Sequence, residues 1–144
     1  MAFRVSPGVT VTEKDFTNVI EKSFGGKLST EIFKNPESYK IFMTTCKRAT
    51  IAISTNYKIA YMDKFGVIPE AKGEGLGSAI FHEMRKEYPQ VFWRSKNNNP
   101  INKFYFSIAD GYQKTKDWDE TLQVYTLKVV QCHVQGSMYG LWRR

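Results

Sequence analysis

Lys72-Gly73-Glu74-Gly75-Leu76-Gly77 is the stretch whose residue types and spacing best match a chemical task. Glycines at alternate positions let the backbone turn sharply and bring bare N–H groups against a ligand. A helix starting just beyond adds unpaired donors and the positive end of its dipole. That combination suits a phosphate or pyrophosphate. Two common phosphate loops are excluded by what the motif lacks. A P-loop places Lys-Ser or Lys-Thr after its last glycine, whereas Ser78-Ala79 follows here. The dinucleotide fingerprint needs a further glycine three residues after its second. Counted from Gly73 that place is Ser78, and counted from Gly75 it is Ile80, so both registers fail.

A second group combines cations, amides and aromatic residues. It is the run Phe92-Trp93-Arg94-Ser95-Lys96-Asn97-Asn98-Asn99-Pro100-Ile101-Asn102-Lys103-Phe104-Tyr105-Phe106, followed by Ala109-Asp110-Gly111. Upstream lies Tyr61-Met62-Asp63-Lys64-Phe65. Taken residue by residue, Lys64 and Arg94 alternate with apolar neighbours, as solvated strand faces do. Asn99 before Pro100 reads as a helix cap, and Tyr105 lies on the apolar stripe of a helix. His82 and Glu83 read as solvent-facing helix residues.

These groups need elements to position them. Thr12 can cap a helix over 13–24 with Phe16, Val19, Ile20 and Phe24 on one face, and Gly25-Gly26 stops it. A short strand over 8–12 precedes it and a short helix over 29–33 follows. Strands are expected over 39–45 and 50–54, joined by a turn near Lys47-Arg48. A strand over 58–67 feeds the glycine loop, and a helix over 78–88 follows, with Leu76, Ala79, Ile80 and Met84 on one stripe. A strand over 90–95 carries bulky apolar residues that suit a sheet covered on both sides. Asn99 caps the next helix, Asp110-Gly111 ends it, and 121–130 is the last strand. From 131 to 144 no pattern is visible. The central strand–loop–helix–strand order is a right-handed crossover. The fold class is therefore α+β: a central, mixed, twisted sheet with helices on both faces.

With 144 residues, a 42% hydrophobic share and 15% aromatic residues, the chain has room for one core and one globular domain. No apolar run reaches membrane-spanning length, and no secretory signal opens the chain. Cys46 and Cys132 are too few for a disulfide framework or a metal cluster, and His82 and His133 lack metal-ligand spacing. A cytoplasmic location and no metal are expected. The net charge of +7 suits an anionic ligand. Its scatter argues against nucleic acid.

Lys72, Gly75 and Gly77 take the three places of the loop of GCN5-related acetyltransferases: Gln or Arg, two residues, Gly, one residue, then Gly or Ala. The two runs quoted above resemble the acetyltransferase domain of vertebrate-like N-acetylglutamate synthases, most strongly from Tyr61 to Gly111. That resemblance implies one N-acetyltransferase domain over 1–144, acetyl-coenzyme A as cosubstrate, and a small amine acceptor, glutamate first. It implies that Lys64, Arg94 and Asn99 contact the acceptor's carboxylates, with Lys96 where some members have a second arginine. It places Tyr105 beside the sulfur of coenzyme A. Phe65, Val67, Lys72, Gly73, Gly75, Leu76 and Gly77 are then the coenzyme-binding residues. In the family this domain is joined to an amino-acid-kinase domain, and none is present in these residues. A homodimer is kept as an assembly.

The residue types suit direct transfer. Cations hold the carboxylates, a backbone N–H near Phe65 or Val67 faces the developing oxyanion, and Tyr105 protonates the leaving thiolate. The first residues, Met1-Ala2-Phe3-Arg4-Val5-Ser6-Pro7-Gly8-Val9-Thr10-Val11-Thr12-Glu13, resemble the start of contractile phage tail sheath proteins. That likeness implies an arm over 1–20 that adds a strand to a phage structural partner, with host cytoplasm or virion as location. The alternatives kept open are transfer to another amine and a non-catalytic virion or interaction protein on the same fold.

Overall fold

A capping box at Thr12 starts the first helix. The Thr12 hydroxyl accepts from the Asp15 amide at 3.1 Å, and the Asp15 carboxylate accepts from the Thr12 amide at 3.3 Å. Helix α1 then runs Glu13–Phe24 and stops at Gly25, whose φ of 73° is left-handed. Lys47 reaches Asp15 at 3.0 Å, and its hydrogen bond, more than any other contact, holds the Asp15 carboxyl below the usual value. Because the folded pKa is lowered, this contribution is present at neutral pH and lost as pH falls through the carboxylate range. Thr12→Ala should destabilise the chain by about 1 kcal/mol, read from urea unfolding at pH 7.

The computed structural model describes residues 4–5, 11–28, 34–117, 120–127 and 138–142. They fall in two compact units, Met1–Tyr88 and Pro89–Arg144. The helix expected over 29–33 and residues 8–10 of the first expected strand lie outside the described residues. Val11 and Thr12 are not strand, and the first strand, β1, is Arg4–Val5. No helix among the described residues is long and apolar enough to cross a membrane.

In the first unit β1 pairs parallel with β2 (Tyr39–Met43), while β3 (Ala49–Ser54) pairs antiparallel with β2 and with β4 (Ala60–Val67). The sheet is therefore mixed. All six residues of β3 are buried, because each face carries a helix. On one face Phe16, Val19 and Ile20 of α1 pack with Ile41, Met43 and Ala52. The stripe ends there: Phe24, expected on it, is 56% exposed in the last position before the left-handed turn. On the other face Phe42, Ile51 and Phe65 form one cross-strand row. There Phe81 of α2 (Leu76–Glu87) meets Phe65 edge-on at 5.0 Å, and Tyr88 meets Phe42. That contact rotates α2 away from the expected stripe. Ile80, Phe81 and Met84 are buried, Leu76 is half-buried and Ala79 is exposed.

In the second unit β5 (Val91–Lys96), β7 (Glu120–Leu127), β6 (Gly111–Asp117) and β8 (Met138–Trp142) lie in that order, each pair antiparallel. Two of these strands were not expected. The β6 segment is largely polar, and its pairing with β7 and β8 supplies what local propensity does not. Pairing with β6 likewise makes a strand of 138–142, within the stretch where the sequence shows no pattern. Strand β5 carries apolar residues on both faces, but unequally: Val91, Trp93 and Ser95 are buried, whereas on the other face Phe92 is half-buried and Arg94 and Lys96 are exposed. Helix α3 (Asn102–Ile108) lies against β7.

Candidate active site

The glycine loop grows out of the end of β4. A short 3-10 turn, Pro69–Ala71, follows the strand, and the loop closes through the amides of Ala71, Lys72 and Glu74, bonded to the carbonyls of Ile68, Pro69 and Ala71. Gly73 (φ 91°) and Gly75 (φ 80°) are both left-handed, which side chains rarely tolerate. The Gly75 carbonyl accepts from Ala79 at 3.1 Å and so starts α2 at Leu76, two residues before the sequence suggests. Leu76 and Gly77 are therefore the first helical residues. No side chain caps the helix and its first turn holds no acid, so its N-terminal donors suit an incoming anion. Lys72 is exposed beside them. A Cβ built on Gly73 or Gly75 would meet nothing within 4 Å.

Further back on β4, Ala52 faces Lys64 and Ile53 faces Met62, so Asp63 is an extra residue with no partner on β3. The bulge re-aims neighbouring side chains that would otherwise point to opposite faces. Lys64 Nζ thus reaches Asp63 Oδ1 at 3.3 Å, while the Tyr39 hydroxyl donates to Asp63 Oδ2 at 3.1 Å. Burial, and then the Asp63 charge, push the Tyr39 phenol up to about 12. Lys64 thus carries a carboxylate neighbour that its sequence setting does not announce. Phe65 is buried against Phe81 and Val67 is half-buried opposite Ala49. At Gly66 an added Cβ would come within 2.9 Å of Ser23 Cβ, so only glycine admits α1 this closely.

In the second unit Arg94 and Lys96 share the exposed face of β5. Asn99 is not the cap of α3, whose N-cap is Ile101. Its side chain instead accepts from the Ile101 amide at 3.1 Å, and its own amide bonds Lys96 at 3.1 Å. Pro100 makes that turn and the helix starts two residues later. Asn102, not singled out by the sequence, holds the turn from the other side. Its Nδ2 donates to the carbonyls of Lys96 (2.8 Å) and Asn97 (3.2 Å), and its Oδ1 accepts from the Tyr125 hydroxyl at 3.2 Å. Burial, and then Tyr112, raise the Tyr125 phenol above the ordinary tyrosine range. The Tyr105 ring is 7% exposed and packs on Trp93 and Tyr125 at 5.4 and 5.3 Å.

The first unit therefore brings Lys72, Gly73, Gly75, Leu76 and Gly77 into one turn at the end of the strand bearing Lys64, Phe65 and Val67. The second brings Lys96 and Asn99 into one hydrogen-bonded turn beyond Arg94. It does not bring Arg94 and Tyr105 to the same side of β5: Tyr105 packs on the Trp93 face, and Arg94 points from the other.

The sequence family described as NAT, N-acetyltransferase, of N-acetylglutamate synthase matches residues 4–127. The chain is 38% identical over 107 residues to an acetylglutamate kinase of Xanthomonas campestris pv. campestris, covering 71% of this chain and 25% of that protein. It is 30% identical over 106 residues to the mitochondrial N-acetylglutamate synthase of Mus musculus, covering 70% of this chain and 20% of that protein. The chain thus spans a quarter or less of these relatives' length. Among solved structures, the ribosomal-protein-S18-alanine N-acetyltransferase of Escherichia coli superposes with a TM-score of 0.62 at 16% identity, covering 85% of this chain and 90% of that one.

Proposed function

We propose a function from one premise: the chain belongs to the N-acetyltransferase family of N-acetylglutamate synthase. It moves an acetyl group from acetyl-coenzyme A to the amine of a small amino acid, glutamate first. The observation that carries this reading is the turn from Lys72 to Gly77. A left-handed Gly75 starts an uncapped helix there, which suits the phosphates of a coenzyme.

The residue roles are part of the proposal. Lys72 and the amides of Gly73, Gly75, Leu76 and Gly77 hold the coenzyme phosphates, and β4 at Phe65 and Val67 lines its thioester arm. In the second unit Arg94 and Lys96, on one face of β5, and Asn99 beyond them are carboxylate-binding residues; in the first unit Lys64, which Asp63 steadies, is another. The neutral amine attacks the thioester carbon and forms the C–N bond. Collapse breaks the C–S bond, Tyr105 gives its proton to the thiolate, and the proton shed by the amine passes to water.

Isothermal titration with acetyl-coenzyme A and then glutamate tests the reading, with acetylglutamate followed as product. Arg94 is exposed, so its pair with a carboxylate is worth a charge-assisted hydrogen bond, about 1.5–3 kcal/mol. Arg94→Ala should raise the KM for glutamate by about tenfold or more and leave coenzyme affinity unchanged. Binding of acetyl-coenzyme A with no turnover of glutamate would move the assignment to another amine. Absence of coenzyme binding would remove the acetyltransferase reading.

A further inference from the structure

The glycine loop contains a charge that an anion site should not welcome. Glu74 sits between Gly73 and Gly75, the two left-handed residues of the turn. Arg48 answers it: its Nη1 meets Glu74 Oε1 at 2.6 Å. The backbone of Arg48 is held independently of that pair. Its amide donates to Thr44 Oγ1 at 3.1 Å, and its carbonyl accepts from the Ile68 amide at 2.9 Å, one residue before the 3-10 turn leading into the loop. The turn joining β2 to β3 is thereby locked beside the glycine loop. Lys47, the next cation on it, is already spoken for by Asp15.

Stability does not explain the pair. Its side chains are 38% and 45% exposed, and an ion pair that open typically contributes about 0–1 kcal/mol. A guanidinium carries five donors in a planar fork, and the contact with Glu74 occupies Nη1 alone. The remaining edge is free to take a phosphate oxygen pair, a stronger contact than a surface carboxylate makes.

We propose that Arg48 is a phosphate-binding residue of the coenzyme site, held at the rim of the glycine loop by Glu74. The inference rests on the acetyl-coenzyme A reading above and adds to it a residue from a different turn. Glu74 neutralises none of the loop's own donors, because its charge is taken up by Arg48. Arg48 in turn reaches the ligand with the donors that Glu74 leaves unused. Phosphates of acetyl-coenzyme A are thus met by main-chain N–H groups on one side and by a bidentate cation on the other.

The test is a double-mutant cycle on the full chain, reading coenzyme A affinity by titration. Arg48→Ala should weaken binding about tenfold or more, and by a similar factor when Glu74→Gln is already present. If Arg48 serves only to neutralise Glu74, its loss will be harmless in the Glu74→Gln protein, which overturns the proposal. A second arm uses S-acetyl-N-acetylcysteamine, an acetyl thioester without phosphates. Arg48→Ala should leave its turnover within about twofold, whereas a merely structural role would depress turnover of both donors. A protein that binds no coenzyme A would overturn both readings together. One that binds it with equal affinity after Arg48→Ala would overturn this inference alone.

Discussion

Tyr105→Phe is expected to slow the chemical step by about 10²–10⁴-fold, the usual loss when a general acid is removed. The substitution keeps the packing that the ring contributes. Its contacts with Trp93, Tyr125 and Phe104 are ring contacts that phenylalanine keeps, and the helix loses no apolar surface. Coenzyme affinity should therefore stay near that of the unmodified chain. Single-turnover rates at saturating substrate isolate the step from product release. A Tyr105→Phe rate within about threefold of the unmodified protein would leave Tyr105 as a core residue, which its 7% exposure would by itself explain.

The second large effect belongs to Gly75. Valine there would add strain at φ 80°, because a β-branched residue disfavours the left-handed region. Asparagine tolerates that region and separates strain from obstruction. No protein atom lies within 4 Å of a Cβ at this place, so the side chain of Gly75→Asn would meet the ligand rather than the protein. Loss of two charge-assisted hydrogen bonds, each about 1.5–3 kcal/mol, predicts coenzyme binding weaker by about 100-fold or more. Gly25→Asn is the matched control. It also sits at a left-handed position (φ 73°) with nothing within 4 Å, at the end of α1. It should carry the same backbone cost and leave affinity unchanged. Equal effects of the two substitutions would assign the loss to strain and remove Gly75 from the coenzyme site.

How legible each feature was depended on the reach of the interaction behind it. The start and end of α1 follow from Thr12, Asp15 and Gly25, all acting within one turn of their own backbone, and the structure reproduces the expected bounds. The stripe of α2 departs from its sequence periodicity because Phe81 is turned inward against Phe65, a residue sixteen positions away on a strand. Asn99 looked like a helix cap because Asn before Pro so often is one. Its carbonyl and side chain instead close a turn, and Asn102, anchored on Tyr125 of β7, sets where α3 begins. The strand of 138–142 has little local signal and exists as a strand through its ladder with β6.

The sequence by itself determined the glycine turn, the helix it opens, the strand that feeds it and the family to which 4–127 belong. Those are written in local chemistry: glycine's freedom at positive φ, capping, and periodicity of two or 3.6. Only the tertiary structure decided which charges meet. Cross-strand register makes Asp63 a bulge and so couples Lys64 to Tyr39, and two turns lying side by side bring Arg48 to Glu74. The same register alternation puts Arg94 and Tyr105 on opposite faces of one strand, although they lie only eleven positions apart in the sequence. Pairing between strands is a long-range choice, and a shift of one residue exchanges the faces. No window along the chain contains that information.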